Sequence, residues 1–347
     1  MTSEATLPRT PSSDNWRHLL RLCLIAFPLL CPLVAGPSAN AWQLLTSGVC
    51  AALLLFCSPN GSLGRGLLAW LGLCVAAVTL STHGPMDMRL MACTVLAAVG
   101  LLAVAGAAAI RQNAIPSALA WGLLLAGALN VLVGLLQYYK LADALVPWIT
   151  SPTFGRPWGT LRQPNQFATS ISLALIGVLW LYVTWDSRRM RISLIAAAVL
   201  LIAATAASGS RTGVLQLALI AVTAGGVAWK ERRAPTPARR LPPPLALLAM
   251  LPLYFALNWL LPHLSATGSG GKAVASAGAL VQRLQPTALG NESRLTLWHN
   301  VLSLIAERPF TGWGWGELSY AHFMAVYPGP RFPVLLDNAH NLSLIHI

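Results

Sequence analysis

The run ISLIAAAVLLIAATAASG, residues 192–209, decides the fold. It contains no Asp, Glu, Lys or Arg. As a helix rising 1.5 Å per residue it would reach about 27 Å, close to the hydrocarbon thickness of a bilayer. Eight further uncharged stretches of the same kind occupy residues 22–36, 41–57, 66–82, 90–110, 117–137, 167–185, 213–229 and 245–262. The shorter ones borrow flanking residues to span. The chain as a whole is 56% hydrophobic and only 10% charged, with a mean hydropathy of +0.62. Soluble domains carry about 25% charged residues. The pattern predicts an all-α polytopic membrane protein with about nine transmembrane helices.

The formal net charge is +13, from 23 Lys and Arg against 10 Asp and Glu. In a soluble protein that excess would suggest nucleic acid. Here the basic residues sit mainly between the apolar stretches, so they report orientation and no nucleic-acid partner is expected. With the N-terminus inside, thirteen fall on the cytoplasmic side: Arg9, Arg17, Arg21, Arg65, Arg111, Arg188, Arg189, Arg191, Lys230, Arg232, Arg233, Arg239 and Arg240. The short outer loops hold five, Arg89, Lys140, Arg156, Arg162 and Arg211. Five more, Lys272, Arg283, Arg294, Arg308 and Arg331, follow the last span, where charge has little influence on orientation. The count places the N-terminus in the cytoplasm, residues 1–262 in a transmembrane bundle and residues 263–347 in a long periplasmic loop.

Arg17, Arg21 and the run ending in Ser38-Ala39-Asn40-Ala41 have the layout of a signal peptide, but Pro28 and Pro32 interrupt it and further spans follow at once. The six cysteines, Cys23, Cys31, Cys50, Cys57, Cys74 and Cys93, lie inside or beside the first four stretches. They read as small buried hydrophobes, with neither a disulfide nor a zinc site indicated. All ten acidic residues fall outside the nine stretches. Intramembrane acids usually mark ion or proton pathways, so their absence disfavours a proton-coupled transporter.

The predicted outer segment opens with a Gly/Ala/Ser-rich stretch, 266–279, and then offers a helix from Ser293 to Glu307. Trp298, Leu302 and Ile305 would share its apolar face, and Pro309 stops it. The following Gly312-Trp313-Gly314-Trp315-Gly316 must form a turn or tight loop, with its Trp side chains at interfacial depth.

Three arginines of the outer face lie near polar, non-helical backbone, where a guanidinium fork suits phosphate oxygens. Arg211 sits in Ser208-Gly209-Ser210-Arg211-Thr212-Gly213, a hairpin too short to leave the membrane surface. Taken alone it would equally serve as an arginine snorkelling to lipid phosphates. Arg162-Gln163-Pro164-Asn165-Gln166-Phe167-Ala168-Thr169 leads into the sixth span, with Asn165 or Thr169 as the helix cap. Arg294 stands one turn before Trp298, and by itself is an ordinary surface charge. His340, in Asp337-Asn338-Ala339-His340-Asn341, is the best candidate base, because imidazole titrates near neutrality and a neighbouring carboxylate such as Asp337 could fix its tautomer. His299 and His322 are equally isolated in sequence.

In order and spacing these sites resemble the superfamily of bacterial O-antigen ligases, O-antigen polymerases and protein O-oligosaccharyltransferases. The family's Ser-Arg-Thr-Gly turn is present as Ser210-Arg211-Thr212-Gly213. Its loop pattern appears as Arg294, Trp298, Pro309, Gly312 and Gly314, and its loop-end His-Asn as His340-Asn341. Gln163-Pro164-Asn165 with Ala168-Thr169 looks more like the protein-glycosylating branch.

The resemblance implies a glycan donor on undecaprenyl pyrophosphate and an active site facing the periplasm from the inner membrane, with no metal and no cofactor. Arg211 and Arg294 would neutralise the pyrophosphate while His340 orients or deprotonates the acceptor hydroxyl. Arg162, Gln163, Asn165 and Trp298 would bind donor or acceptor. The favoured acceptor is a Ser or Thr of a pilin-like periplasmic protein; lipid A core, a growing glycan chain and, outside the family, membrane transport are the alternatives. The family continues beyond His-Asn into further spans. The last six residues here, Leu342-Ser343-Leu344-Ile345-His346-Ile347, match a translated transposase-end sequencing adaptor. The expectation is that native sequence ends near Asn341 and that the 347-residue product inserts without transferring glycan.

Overall fold

The computed structural model describes residues 12–30, 39–56, 65–80, 86–110, 114–150, 152, 156–234, 241–265, 293–314 and 316–333. Among them there are helices and turns and no strand. In chain order the helices are α1 (Ser12–Ala26), α2 (Ala39–Phe56), α3 (Arg65–Leu80), α4 (Met86–Ile110), α5 (Ala114–Tyr138), α6 (Pro164–Thr184), α7 (Arg188–Ser208), α8 (Arg211–Arg232), α9 (Pro244–Leu248), α10 (Met250–Ser265), α11 (Ser293–Glu307) and α12 (Leu318–Met324).

Six segments among the described residues are long and apolar enough to cross a membrane: Arg89–Ala107, Pro116–Tyr138, Pro164–Thr184, Arg188–Ser208, Arg211–Arg232 and Pro244–Leu264. Two of the remaining expected stretches form shorter apolar helices, Trp42–Leu55 and Arg65–Thr79. The first, 22–36, is different. α1 starts at Ser12, ten residues ahead of it, and gives way at Phe27–Leu29 to a 3₁₀ turn containing Pro28. Proline supplies no N–H to the ladder, so the helix tightens and ends there. The carbonyls this leaves at Leu29 and Leu30 receive the Asn130 Nδ2 donor at 3.2 Å and the Trp42 indole N–H at 2.8 Å. In lipid each such group must find a partner within the protein.

The chain divides into two compact units, Met1–Asn60 with Ala108–Val281 and Gly61–Ala107 with Gln282–Ile347. In the first, α6 is central, packing against α5, α7 and α8. Its Phe167, Ile171, Leu175, Val178 and Leu181 are buried at helical spacing and meet Leu194, Leu201 and Ile202 of α7, Leu217 of α8 and Tyr254 of α10. The α5–α6 crossing is close: a Cβ on Gly177 would lie 2.9 Å from the Ala120 carbonyl oxygen. Small residues at such crossings let transmembrane helices approach where no hydrophobic effect drives them together. Leu215, Leu219 and Val222 of α8 are 71%, 63% and 58% exposed, forming an apolar outer face suited to lipid rather than water.

In the second unit, α3 and α4 pack through Val78, Ala92 and Leu96. α11 has the limits the sequence predicts, but its buried face is Leu297, Val301 and Leu304. Trp298 and Ile305 border that face, and Leu302 is exposed. The expected stripe was displaced by one residue, because Leu297, Val301 and Leu304 have the same i, i+4, i+7 spacing and the tertiary contacts decide between them. Trp313 is likewise buried, donating its indole N–H to the Leu304 carbonyl at 3.1 Å with the Arg308 guanidinium 4.0 Å above its ring. It belongs to the core beside α11 and α12 instead of acting as an interfacial anchor.

Candidate active site

The site in the first unit begins with two amides of α5. Asn130 and Gln137 are fully buried and seven residues apart, hence on one face of the helix. A buried amide without partners costs several kcal/mol in lipid, and these two are satisfied by the backbone ahead of α6. The Gln137 carbonyl oxygen accepts from the N–H groups of Trp158 and Gly159 at 3.0 and 2.9 Å, while its Nε2 donates to the carbonyls of Thr150 and Gly159. Asn130 Oδ1 accepts from the Thr160 N–H and hydroxyl at 2.9 and 3.0 Å. The loop bearing Arg156 and Arg162 is thereby clamped to α5.

Gly159 makes this possible. Its φ is +59°, and a Cβ there would stand 2.5 Å from Asn130 Oδ1 and 2.6 Å from the Phe167 ring. Gly159→Ala should therefore cost about 3 kcal/mol, from left-handed strain and overpacking together. A lowered melting temperature of the detergent-solubilised protein is the measurement, and an unchanged one would contradict the clamp.

α6 begins at Pro164, which suits the first helical position, with Gln163 as the N-cap residue. Neither Asn165 nor Thr169 caps it, contrary to expectation. Proline fixes the start of the helix three residues earlier than the apolar run suggests, which puts Asn165 inside the first turn with its side chain directed at a neighbouring element. Asn165 Oδ1 accepts from Ser210 Oγ at 2.9 Å. Thr169 Oγ1 donates to the Asn165 carbonyl and accepts from Gln216 Nε2, each at 3.0 Å, and Ser172 Oγ donates to Gln216 Oε1 at 3.1 Å. A short polar seam thus joins the N-terminal ends of α6 and α8.

The other half of this site is the turn between α7 and α8. Gly209, at φ +55°, closes α7, and Ser210 caps α8 by accepting from the Gly213 N–H at 3.2 Å. Arg156 binds this turn from the neighbouring loop. Its Nε donates to the Ser208 carbonyl at 2.9 Å and its Nη2 to the Gly209 carbonyl at 3.0 Å. Arg211 opens α8 with an exposed side chain. A cation at the positive end of a helix dipole is unfavourable unless an anion joins it. Chemically, the exposed guanidinium, the first N–H groups of α8 and the Asn165–Ser210 pair form a surface that can hold an anion.

Arg162, Gln163, Asn165 and Arg211 all lie in the first unit at these two adjoining loops. Trp298 lies in the second unit, half-buried on α11. Arg294 is in the first turn of α11 with its side chain outside the described residues, and His340 and residues 342–347 lie outside them altogether. Among the described residues no group of three or more His, Cys, Asp or Glu could hold a metal ion.

His322 is buried with both ring nitrogens occupied, Nδ1 at 2.8 Å from the Tyr327 hydroxyl and Nε2 at 2.9 Å from the Phe332 carbonyl. A carbonyl only accepts, so Nε2 carries a proton, and in the neutral ring Nδ1 accepts from the Tyr327 hydroxyl. Burial pushes the Tyr327 phenol up; Arg331 opposes that shift and Glu307 adds to it. Asn300 stitches the same segment, donating to the Pro330 carbonyl and accepting from the Phe332 N–H.

Sequence reading passed over Arg156, Asn130, Gln137 and Gln216. The two amides had a detectable signal, since they are seven residues apart at one end of an otherwise apolar span.

These features define a multi-pass helical membrane protein with an arginine-bearing polar site at the ends of α6, α7 and α8. Residues 196–344 match the family model described as O-antigen ligase, and residues 157–182 match the one described as protein glycosylation ligase. A general O-oligosaccharyltransferase of Acinetobacter baylyi (strain ATCC 33305 / BD413 / ADP1) is 28% identical over 221 residues, covering 62% of this chain and 36% of the relative. The chain thus spans about a third of the length of that curated relative. No solved structure matches. The resemblance to O-antigen ligases and protein glycosylation ligases holds across the α6 entry, the α7–α8 turn and the segment carrying α11 and α12.

Proposed function

We propose that this chain carries the machinery of a protein O-oligosaccharyltransferase, moving a glycan from undecaprenyl pyrophosphate to a Ser or Thr hydroxyl of a periplasmic protein. The observation that carries the reading is the hydrogen bond from Ser210 to Asn165. It joins the segment similar to protein glycosylation ligases to the Ser-Arg-Thr-Gly turn inside the O-antigen ligase match. In this reading Arg211 and Arg294 neutralise the leaving pyrophosphate, His340 takes the acceptor proton, and Arg162, Gln163, Asn165 and Trp298 hold donor or acceptor. The acceptor oxygen attacks the anomeric carbon as its bond to the phosphate oxygen breaks, with inversion and release of undecaprenyl pyrophosphate. The pyrophosphate is already a good leaving group, so no metal is required. About nine spans with the N-terminus in the cytoplasm, residues 1–262 as the bundle and 263–347 as the outer loop, put these groups on the periplasmic side of the inner membrane.

The match of residues 196–344 to O-antigen ligases favours a second acceptor, lipid A core. Deleting the gene in the source bacterium separates the two. Loss of glycan from periplasmic proteins with intact lipopolysaccharide is the expected result; loss of O-antigen with intact glycoproteins would replace the first reading by the second.

A further inference from the structure

We infer that Arg156 is a positioning residue that makes the α7–α8 turn receptive to an anion, by neutralising the carbonyl end of α7 beside Arg211. The inference rests on the reading of that turn as the pyrophosphate site.

Two helix ends of opposite polarity meet in the turn. α8 presents its first N–H groups and a positive end, about half an elementary charge. α7 ends three residues earlier, at Ser208, with terminal carbonyls that its own ladder leaves without donors and an equal negative end. Left bare, the carbonyls would offset what the start of α8 offers an anion. The Arg156 guanidinium covers the last of them, Ser208, at 2.9 Å, and the carbonyl of the capping Gly209 at 3.0 Å. Its full positive charge outweighs the half charge it faces, so the turn as a whole becomes positive.

The placement is deliberate in another sense. Arg156 reaches the turn from a loop that Gln137 holds through the Trp158 and Gly159 N–H groups, and the Ser210–Asn165 bond ties the same two segments again. Its Nε and Nη2 are bonded to backbone oxygens, so the role assigned to it is to act on a bound anion through the turn, whereas the exposed Arg211 side chain is placed to touch the anion.

The test uses the full chain in detergent, titrated with undecaprenyl pyrophosphate and, in parallel, with undecaprenol, which has the same tail and no anion. Arg156→Gln should weaken pyrophosphate binding about tenfold and leave undecaprenol binding unchanged. Arg156→Lys keeps the charge and should return to within about threefold of the native protein. A clamp that is merely structural gives another pattern, with both lipids lost together and lysine no better than glutamine. That pattern, or native pyrophosphate affinity in Arg156→Gln, overturns the role of Arg156. Should Arg156→Gln not fold, Arg156→Lys decides alone: near-native affinity supports the inference and a loss of both lipids refutes it. If the native chain itself does not distinguish the two lipids, the turn is no pyrophosphate site and both readings fall together.

Discussion

On the proposed function, Arg211→Lys should reduce glycan transfer on the order of 100-fold, although the charge is kept. Arg211 occupies the first position of α8, where Ser210 Oγ already serves the Gly213 N–H. Helix geometry leaves the N–H groups of Arg211 and Thr212 outside the ladder, aimed along the axis toward an incoming acceptor. A planar guanidinium adds two parallel donors matched to phosphate oxygens, and an ammonium cannot reproduce that fork. An arginine that only snorkels to lipid headgroups would tolerate lysine. Transfer assayed with lipid-linked donor at matched expression decides between them, and near-native activity would remove Arg211 from the pyrophosphate site. The contrast with Arg156, where lysine should suffice, follows from one residue touching the anion and the other acting through the backbone.

His340→Ala should lower turnover about a thousandfold while donor binding stays largely intact, because a general base acts on the acceptor hydroxyl and not on the pyrophosphate. The structure sharpens the comparison with the other histidines. His322 has Nε2 tied to the Phe332 carbonyl and Nδ1 to the Tyr327 hydroxyl, so neither nitrogen is available to a substrate. His322→Ala should instead loosen the packing of the segment around α12, seen as earlier proteolysis. His299 is exposed on α11 and its alanine variant should be close to native. Equal loss of turnover in all three variants would undo the assignment of His340.

Whether a residue was legible in the sequence depended on what its partners are. Six of the nine expected spans have a membrane-length counterpart among the described residues, because their signal, length without charge, is the property the bilayer selects. Their ends moved where proline intervened: Pro28 stops α1 early, and Pro164 starts α6 before its apolar run. The limits of α11 were readable from Ser293 and Pro309, but not which of two equally spaced faces it buries, since that depends on segments far along the chain. Arg211 stood out because its turn is short and polar. Arg156 did not, because its partners are main-chain carbonyls, which every residue possesses and no sequence pattern displays. Asn130 and Gln137 were overlooked for a different reason: a search for intramembrane charge passes over neutral amides, although these also need partners in lipid.

Those two amides bear on how the protein reaches its membrane. α5 entering a bilayer alone would expose two carboxamides to hydrocarbon, a state that retains the helix beside polar company instead of releasing it among lipids. Asn130 has two partners that precede it in the chain, the Ala126 carbonyl of its own helix and the Leu29 carbonyl at the broken end of α1, and a third, Thr160, about thirty residues further on. Gln137 waits for Trp158 and Gly159. In the finished structure these bonds make α5 the element on which the end of α1 and the loop ahead of α6 are both held, and the α7–α8 turn is in turn held from that loop.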